Sequence, residues 1–165
     1  MADILVPATS PELKAYCIRI RKTVFVQEQG YSHVDEDNQP EDAVALHFLL
    51  RDSSTVDDGF MGTARLSARP EQTYVLSRFA LLPPFRGGGM GSRFIRALEQ
   101  WIRKQDGFHF VNLEAQDGSY GFYEKLGYTQ QSAEPYIEEG RRHLLMRKDL
   151  RERKNEVLTH NSTHL

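Results

Sequence analysis

Four glycines fall at positions 87, 88, 89 and 91, directly behind Arg86 and ahead of a helical apolar pattern. Glycine has no Cβ, so a ligand can approach its backbone closely. The first amides of a helix have no partner inside it, and the helix dipole places about half a positive charge there. A phosphate or diphosphate is the natural guest of such a loop, and Arg86 adds a fixed charge at its entrance. A nucleoside-triphosphate loop ends in Gly-Lys-Ser/Thr, whereas this one ends Gly91-Ser92-Arg93. The Gly-x-Gly-x-x-Gly spacing of a dinucleotide fingerprint fits poorly. The spacing Arg/Gln-x-x-Gly-x-Gly/Ala is met by Arg86, Gly89 and Gly91. A turn that does no more than start a helix would use the same glycines.

Charge of the opposite sign collects earlier in the chain. Glu28, Asp35, Glu36, Asp37, Glu41 and Asp42 occur with no Lys or Arg among them. As a charge run alone this reads as a solvated loop. His47 and His143 have the ordinary pKa of a proton-transfer group near neutrality, although a lone strand histidine commonly serves structure. Arg65 and Arg78 can bind an anion or form surface ion pairs of little energetic weight. Cys17 lies on the apolar stripe of a helix, a poor position for a nucleophile.

These residues need elements to hold them. Ile4-Leu5-Val6 reads as a first strand. Ser10-Pro11 reads as a helix start, Ser as cap and Pro at the first position, with Thr9 and Glu12 as a competing capping box. Leu13, Tyr16, Cys17, Ile20 and Val24 then recur at helical spacing, with Arg19, Arg21 and Lys22 off that face. Gly30, Asn38 and Pro40 break regularity from 28 to 42. Strands are expected at 45–51, 60–67 and 73–82, joined by Asp/Ser/Gly and Arg69-Pro70-Glu71 turns into an antiparallel meander. Phe94, Ile95, Leu98, Trp101 and Ile102 mark a helix after the glycine loop, and 108–115 the next strand. Strand, loop, helix, strand implies parallel pairing. A short helix at 119–126 stops at Gly127. Tyr128 onward and 143–148 form a closing hairpin, and the chain from about 151 is polar.

Composition sets the frame. The chain has 165 residues, 27% charged and 39% hydrophobic, which fits one folded domain without metal or disulfide support. Lys plus Arg number 21 against 23 Asp plus Glu, a net charge of −2, which lacks the basic excess of a general nucleic-acid binder. One cysteine forms no internal disulfide. No apolar run reaches membrane-spanning length and no secretory leader is evident, so a cytoplasmic protein without membrane partners is expected.

The stretch from Leu76 through Arg78-Phe79-Ala80-Leu81 to Arg86-Gly87-Gly88-Gly89-Met90-Gly91 resembles the acetyl-coenzyme A motif of the GNAT acetyltransferases. Phe122-Tyr123-Glu124-Lys125-Leu126-Gly127-Tyr128 resembles their second motif, in the same order. The resemblance covers roughly residues 3 to 149. Arg21-Lys22-Thr23-Val24-Phe25-Val26-Gln27-Glu28-Gln29, Asp35, Asp37, His47, Ala115-Gln116, Tyr136-Ile137-Glu138-Glu139-Gly140 and His143 resemble the ElaA-like branch.

The resemblance implies an α/β (α+β) GNAT fold. Its central sheet is mixed and mostly antiparallel, of about six or seven strands, splayed at the cofactor site and flanked by about four helices. A domain over 1–150 and a polar tail over 151–165 are expected. The resemblance further implies that the amides from Arg86 to Ser92 hold the coenzyme diphosphate. The pantetheine arm pairs with the edge of Phe79, Ala80 and Leu81, Gln116 helps bind coenzyme A, and Tyr123 donates a proton to the departing thiolate. Glu114 is a candidate base, with His47 and His143 as alternatives. A cationic acceptor suits Asp35 and Asp37, with Tyr136, Glu138 and His143 on the opposite wall and Arg78 for an anionic group. The expected activity is direct acetyl transfer to a small-molecule primary amine by a monomer or homodimer. A protein or peptide acceptor, an acyl-homoserine-lactone-synthase-like reaction and a non-catalytic coenzyme A-binding regulator are the alternatives.

Overall fold

In the computed structural model Ser10 caps the first helix, its Oγ accepting from the amide of Leu13 at 3.2 Å, so the Ser10-Pro11 start holds over the Thr9 register. The structure describes residues 3–32, 40–52, 59–131, 134–138 and 140–151. Strand β1 (Asp3–Pro7) leads into α1 (Pro11–Arg21), which continues as a π-helical stretch from Lys22 to Glu28. A short helix α2 (Pro40–Val44) begins at the proline expected to break regularity; proline is tolerated at a first helical position, where no amide partner is lost. The meander follows as β2 (Leu46–Asp52), β3 (Phe60–Arg69) and β4 (Thr73–Leu81). Then come α3 (Met90–Arg103), β5 (Phe110–Gln116), α4 (Tyr120–Lys125), β6 (Thr129–Gln130), β7 (Tyr136–Glu138) and β8 (Arg141–Asp149).

The sheet runs β1-β2-β3-β4-β5-β8-β6, with β7 also paired to β8. Among the described residues only β4 and β5 are parallel, and every other pair is antiparallel. The sheet has eight strands rather than the expected six or seven, because β6 and β7 both pair with β8.

Two apolar layers cover the faces. Phe94, Ile95, Leu98 and Ile102 of α3 pack with Phe48, Leu66, Leu76 and Leu113, and α4 adds Phe122 and Tyr123 at the margin. Cys17 and Ile20 of α1, with Val24 of the π-helical stretch, pack with Leu49, Phe60 and Ala80 on the other side. Glu99 is buried within the first layer, where it accepts from Lys148 Nζ at 3.0 Å and from the Tyr128 hydroxyl at 3.2 Å.

Strand β4 departs from a regular ladder in two ways. Its parallel pairing with β5 ends at Leu76↔Leu113, yet β4 runs on to Leu81 against β3, and β5 runs on to Gln116 against β8. The two strands therefore part. Between the pairs Arg65↔Ser77 and Thr63↔Ala80, β3 has one residue where β4 has two, a β-bulge. Arg78 within it has φ +51°, a left-handed conformation costing a residue with a side chain about 1–2 kcal/mol. The extra residue reverses the alternation: Tyr74 and Leu76 face the α3 layer before it, Phe79 and Leu81 after it, and Ala80 turns to the α1 layer.

Candidate active site

The glycine loop sits beyond the end of β4. Gly87, Gly88 and Gly89 have φ of +91°, +62° and +80°, conformations open to glycine at no steric cost. Gly89 is the N-cap of α3 and no side chain caps that helix. Successive backbone amides in such a turn form a concave donor set for an anion. Gly91 is needed for another reason: a Cβ there would lie 3.3 Å from the Phe122 ring and 3.7 Å from Leu81 Cδ1. The end of β4, the start of α3 and α4 thus meet at one point.

Arg86 turns back over this junction. Its Nε donates to the Leu81 carbonyl at 3.0 Å, and its two terminal nitrogens grip both oxygens of Glu28, one of them at 2.8 Å. The guanidinium holds the Glu28 carboxyl below the usual carboxylate range. Glu28, counted in sequence with the acid run, is the last residue of the π-helical stretch and reaches the opposite charge.

Tyr123 lies on α4, which starts just after β5 ends; the Ser119 amide donates to the Gln116 carbonyl at 2.9 Å. Its ring meets Phe122 at 5.0 Å and Tyr128 at 5.8 Å between centroids. Burial pushes its pKa up to about 12. The phenol is therefore held protonated at neutral pH.

On the other lip, Glu114 and Gln116 share one face of β5, since Val111, Leu113 and Ala115 take the buried face. Tyr136 lies beside Glu114, and burial together with that carboxylate raises the Tyr136 pKa; Glu138 adds to the rise. The Tyr136 ring stacks on His143 at 5.5 Å and 20°. Gln116 Nε2 donates to the Tyr31 hydroxyl at 2.9 Å, and the Arg141 guanidinium lies 4.7 Å over the Tyr31 ring and donates to the Gln29 carbonyl. Tyr31 and Arg141 escape sequence reasoning, and Gln29 enters it only within the resemblance, because nothing in their spacing ties residue 31 to residues 116 and 141.

The structure thus gathers Phe79, Ala80, Leu81, the loop from Arg86 to Ser92 and Tyr123 on one side of the opening. It gathers Glu114, Gln116, Tyr136, Glu138 and His143 on the other. Arg78 stands at the bulge between them. His47 is not brought there. It is buried on β2, where a carbonyl and a guanidinium fix its tautomer: Nε2–H donates to the Asp42 carbonyl at 2.9 Å, and Nδ1 accepts from Arg21 Nη2 at 2.7 Å. Both nitrogens are engaged, so His47 does not serve as a base at the opening. Arg21 and Asp42, expected off the apolar face and on a loop surface, are buried too. Arg21 Nη1 and Arg65 Nη1 both donate to Asp42 Oδ1, at 3.4 and 3.1 Å. A signal for Arg21 exists in the sequence, since it follows Leu13 and Cys17 at intervals of four. Asp35 and Asp37 lie outside the described residues. Cys17 is buried and burial raises its thiol pKa, so it stays a protonated core residue. Among the described residues no group of His, Cys, Asp or Glu forms a metal site, and no helix is long and apolar enough to cross a membrane.

Comparison with known proteins agrees with this geometry. The sequence profile described as the acetyltransferase (GNAT) family matches residues 15–128. The Bacillus subtilis (strain 168) protein YyaT is 33% identical over 136 residues, covering 81% of this chain and 86% of that protein. Among solved structures, a Lactobacillus plantarum protein assigned as an N-acetyltransferase superposes with a TM-score of 0.80 at 27% identity, covering 91% and 99% of the two chains. Escherichia coli ElaA shares the fold, with a TM-score of 0.74 at 21% identity over 90% and 99%. With a parted strand pair, a glycine-built helix start and a profile spanning both, the chain belongs to the GNAT acetyltransferase family.

Proposed function

We propose that this protein transfers the acetyl group of acetyl-coenzyme A to a primary amine of a small molecule, directly, within a ternary complex. The observation that carries the reading is the parting of β4 and β5 beyond Leu76↔Leu113, with an uncapped, glycine-built helix start at its mouth. The residues fit the coenzyme. Ser77 to Leu81 form an edge with no strand partner on the β5 side among the described residues, which suits the amides of a pantetheine arm. The amides from Gly87 to Ser92 suit the diphosphate, with Arg86 exchanging Glu28 for phosphate.

Acetyl-coenzyme A supplies an acetyl group activated as a thioester, and the departing thiolate needs a proton. Tyr123, held protonated beside the junction of β4, α3 and α4, is the proposed donor. The amides of Phe79, Ala80 and Leu81 orient the arm and offer donors to a carbonyl oxygen. A primary amine has a pKa of about 10 and arrives protonated. Glu114 is the proposed proton acceptor, directly or through water, with Tyr136 orienting its carboxylate. Gln116, Glu138 and His143 line the acceptor side with Tyr136, and Asp35 and Asp37 would add negative charge toward a cationic acceptor. Buried, protonated Cys17 supports direct transfer over an acyl-cysteine route. Positioning of two bound reactants supplies most of the rate in such a scheme.

Isothermal titration with acetyl-coenzyme A is expected to show saturable binding, followed by thiol release with at least one member of a panel of polyamines, amino sugars, amino acids and peptides. Absence of binding overturns the reading. Binding without thiol release for any amine would make the protein a coenzyme A-binding regulator.

A further inference from the structure

We propose that Arg65 is a positioning residue for the transfer site, acting through Ser77 to hold the bulge that parts β4 from β5, with Asp42 of α2 as its anchor. The inference rests on the acetyl-coenzyme A reading and adds residues on the far side of the strand from the cofactor loop. Arg65 and Ser77 are cross-strand partners, the last aligned pair before the extra residue of β4. The Arg65 side chain is 7% exposed. Its Nε donates to Ser77 Oγ at 3.0 Å while its Nη1 donates to Asp42 Oδ1 at 3.1 Å. A planar guanidinium held at two corners has no rotational freedom left. Asp42 cannot yield, because Arg21 Nη1 donates to the same oxygen at 3.4 Å and His47 Nε2–H holds its carbonyl at 2.9 Å. His47 is fixed in turn by Arg21 Nη2 at 2.7 Å.

The bulge needs such a hold. Arg78 has φ +51°, a strained backbone for a residue with a side chain, and strain of this kind persists only where the surroundings over-determine it. Sliding residues 73–77 by one place along β3 would set Arg78 opposite Arg65, remove the extra residue and relieve Arg78. The same slide would turn Tyr74 and Leu76 out of the α3 layer and shift their pairing with Val111 and Leu113, the last rungs before β4 leaves β5. The hydrogen bond from Arg65 fixes Ser77 opposite it and so forbids the slide. The network therefore fixes the point at which β4 leaves β5 and the free edge from Ser77 to Leu81 begins, without touching any ligand.

Two probes distinguish this role from general stabilisation. Acetyl-coenzyme A meets both the glycine loop and the 79–81 edge. 3′-Phosphoadenosine 5′-diphosphate carries the diphosphate without the pantetheine arm and meets the loop alone. In the full chain, Ser77→Ala is expected to weaken acetyl-coenzyme A binding about tenfold by calorimetry and to leave the nucleotide fragment within about twofold. Ser77→Thr keeps the hydroxyl and is expected to restore acetyl-coenzyme A binding. Arg65→Lys, which retains charge but loses the fork, is expected to behave as Ser77→Ala does. The proposal is overturned if Ser77→Ala binds acetyl-coenzyme A as the parent chain does, if both probes weaken in proportion, or if Ser77→Thr is as impaired as Ser77→Ala. Failure of the parent chain to bind acetyl-coenzyme A would instead remove the functional reading itself.

Discussion

At the scale of single residues, burial sets protonation states, and protonation states sort the candidates. Tyr123 is held protonated by its apolar surroundings, with a pKa pushed up to about 12. Removing its hydroxyl should leave packing intact, since its ring contacts are with Phe122 and Tyr128. Tyr123→Phe is therefore expected to lower kcat about 10²-fold, the scale of a lost proton donor, with acetyl-coenzyme A affinity nearly unchanged. Equal kcat would make the tyrosine a packing residue. His47 illustrates the reverse case. Burial lowers its pKa from the ordinary 6.5, and the Arg21 and Lys14 charges act in the same direction, against the Asp42 contacts that raise it. The unfolded chain then binds this proton more readily than the folded one. The stabilisation is complete above the ordinary pKa and is lost as pH falls from there through the folded value. His47→Gln keeps a donor and an acceptor, so thermal melts should lose less stability between pH 7 and pH 5 than the parent; parallel melting curves would sink the idea. Tyr123 and the glycines are legible in the sequence because motif position and residue type carry their expected roles. The Arg21–Asp42–His47–Arg65 cluster is not, since burial of charge depends on partners from α1, α2, β2 and β3 that no local pattern links.

Elements are legible where their signals are local. Ser10 capping, the three-strand meander, the helix after the glycine loop and Gly127 closing α4 all follow from neighbours in sequence. Pro40 misleads because the same residue breaks a helix interior and starts a helix. The bulge is invisible in the sequence, because Ser77-Arg78-Phe79 reads as plain strand until the register with β3 is known. Two glycine substitutions separate space from conformation. A Cβ on Gly62 would meet the Ala80 carbonyl oxygen at 2.6 Å and Leu81 Cδ2 at 2.8 Å. Gly62→Ala must push β3 from β4, and urea denaturation is expected to show a loss of about 1–3 kcal/mol. A methyl on Gly89 would meet nothing within 4 Å, but the residue sits at φ +80°. Gly89→Ala is expected to cost about 1–2 kcal/mol from backbone strain alone and to weaken acetyl-coenzyme A binding. An unchanged urea midpoint for either variant contradicts its assignment.

Over the whole molecule, a net charge of −2 hides opposed local charges. The uncapped helix start of α3 is positive, the opposite lip carries Glu114 of β5 and Glu138 of β7, and Glu28 bridges toward the first by holding Arg86. The α3 layer is tied across its depth by a buried ion pair. Lys148 Nζ donates to Glu99 at 3.0 Å and to the Leu126 carbonyl at 2.6 Å, joining β8, α3 and the end of α4. Lys148→Met leaves Glu99 buried without its cation, and a loss of about 3–5 kcal/mol is expected by denaturant titration. The double change Glu99→Leu with Lys148→Met should recover much of that loss, and failure to recover would assign the cost to the Leu126 carbonyl.

The bulge at Arg78 has one more consequence. Leu76 and Phe79 face the same layer three positions apart, because one residue between them is taken up by the bulge. Deleting the single codon of Arg78 would leave Ser77 opposite Arg65 and Ala80 opposite Thr63, with Phe79 opposite Ala64, so ring and methyl would keep their layers while β4 lost its bulge. Fold and site are thus separable by length: a β4 one residue shorter would still build the core but would no longer carry the bulge beside the opening.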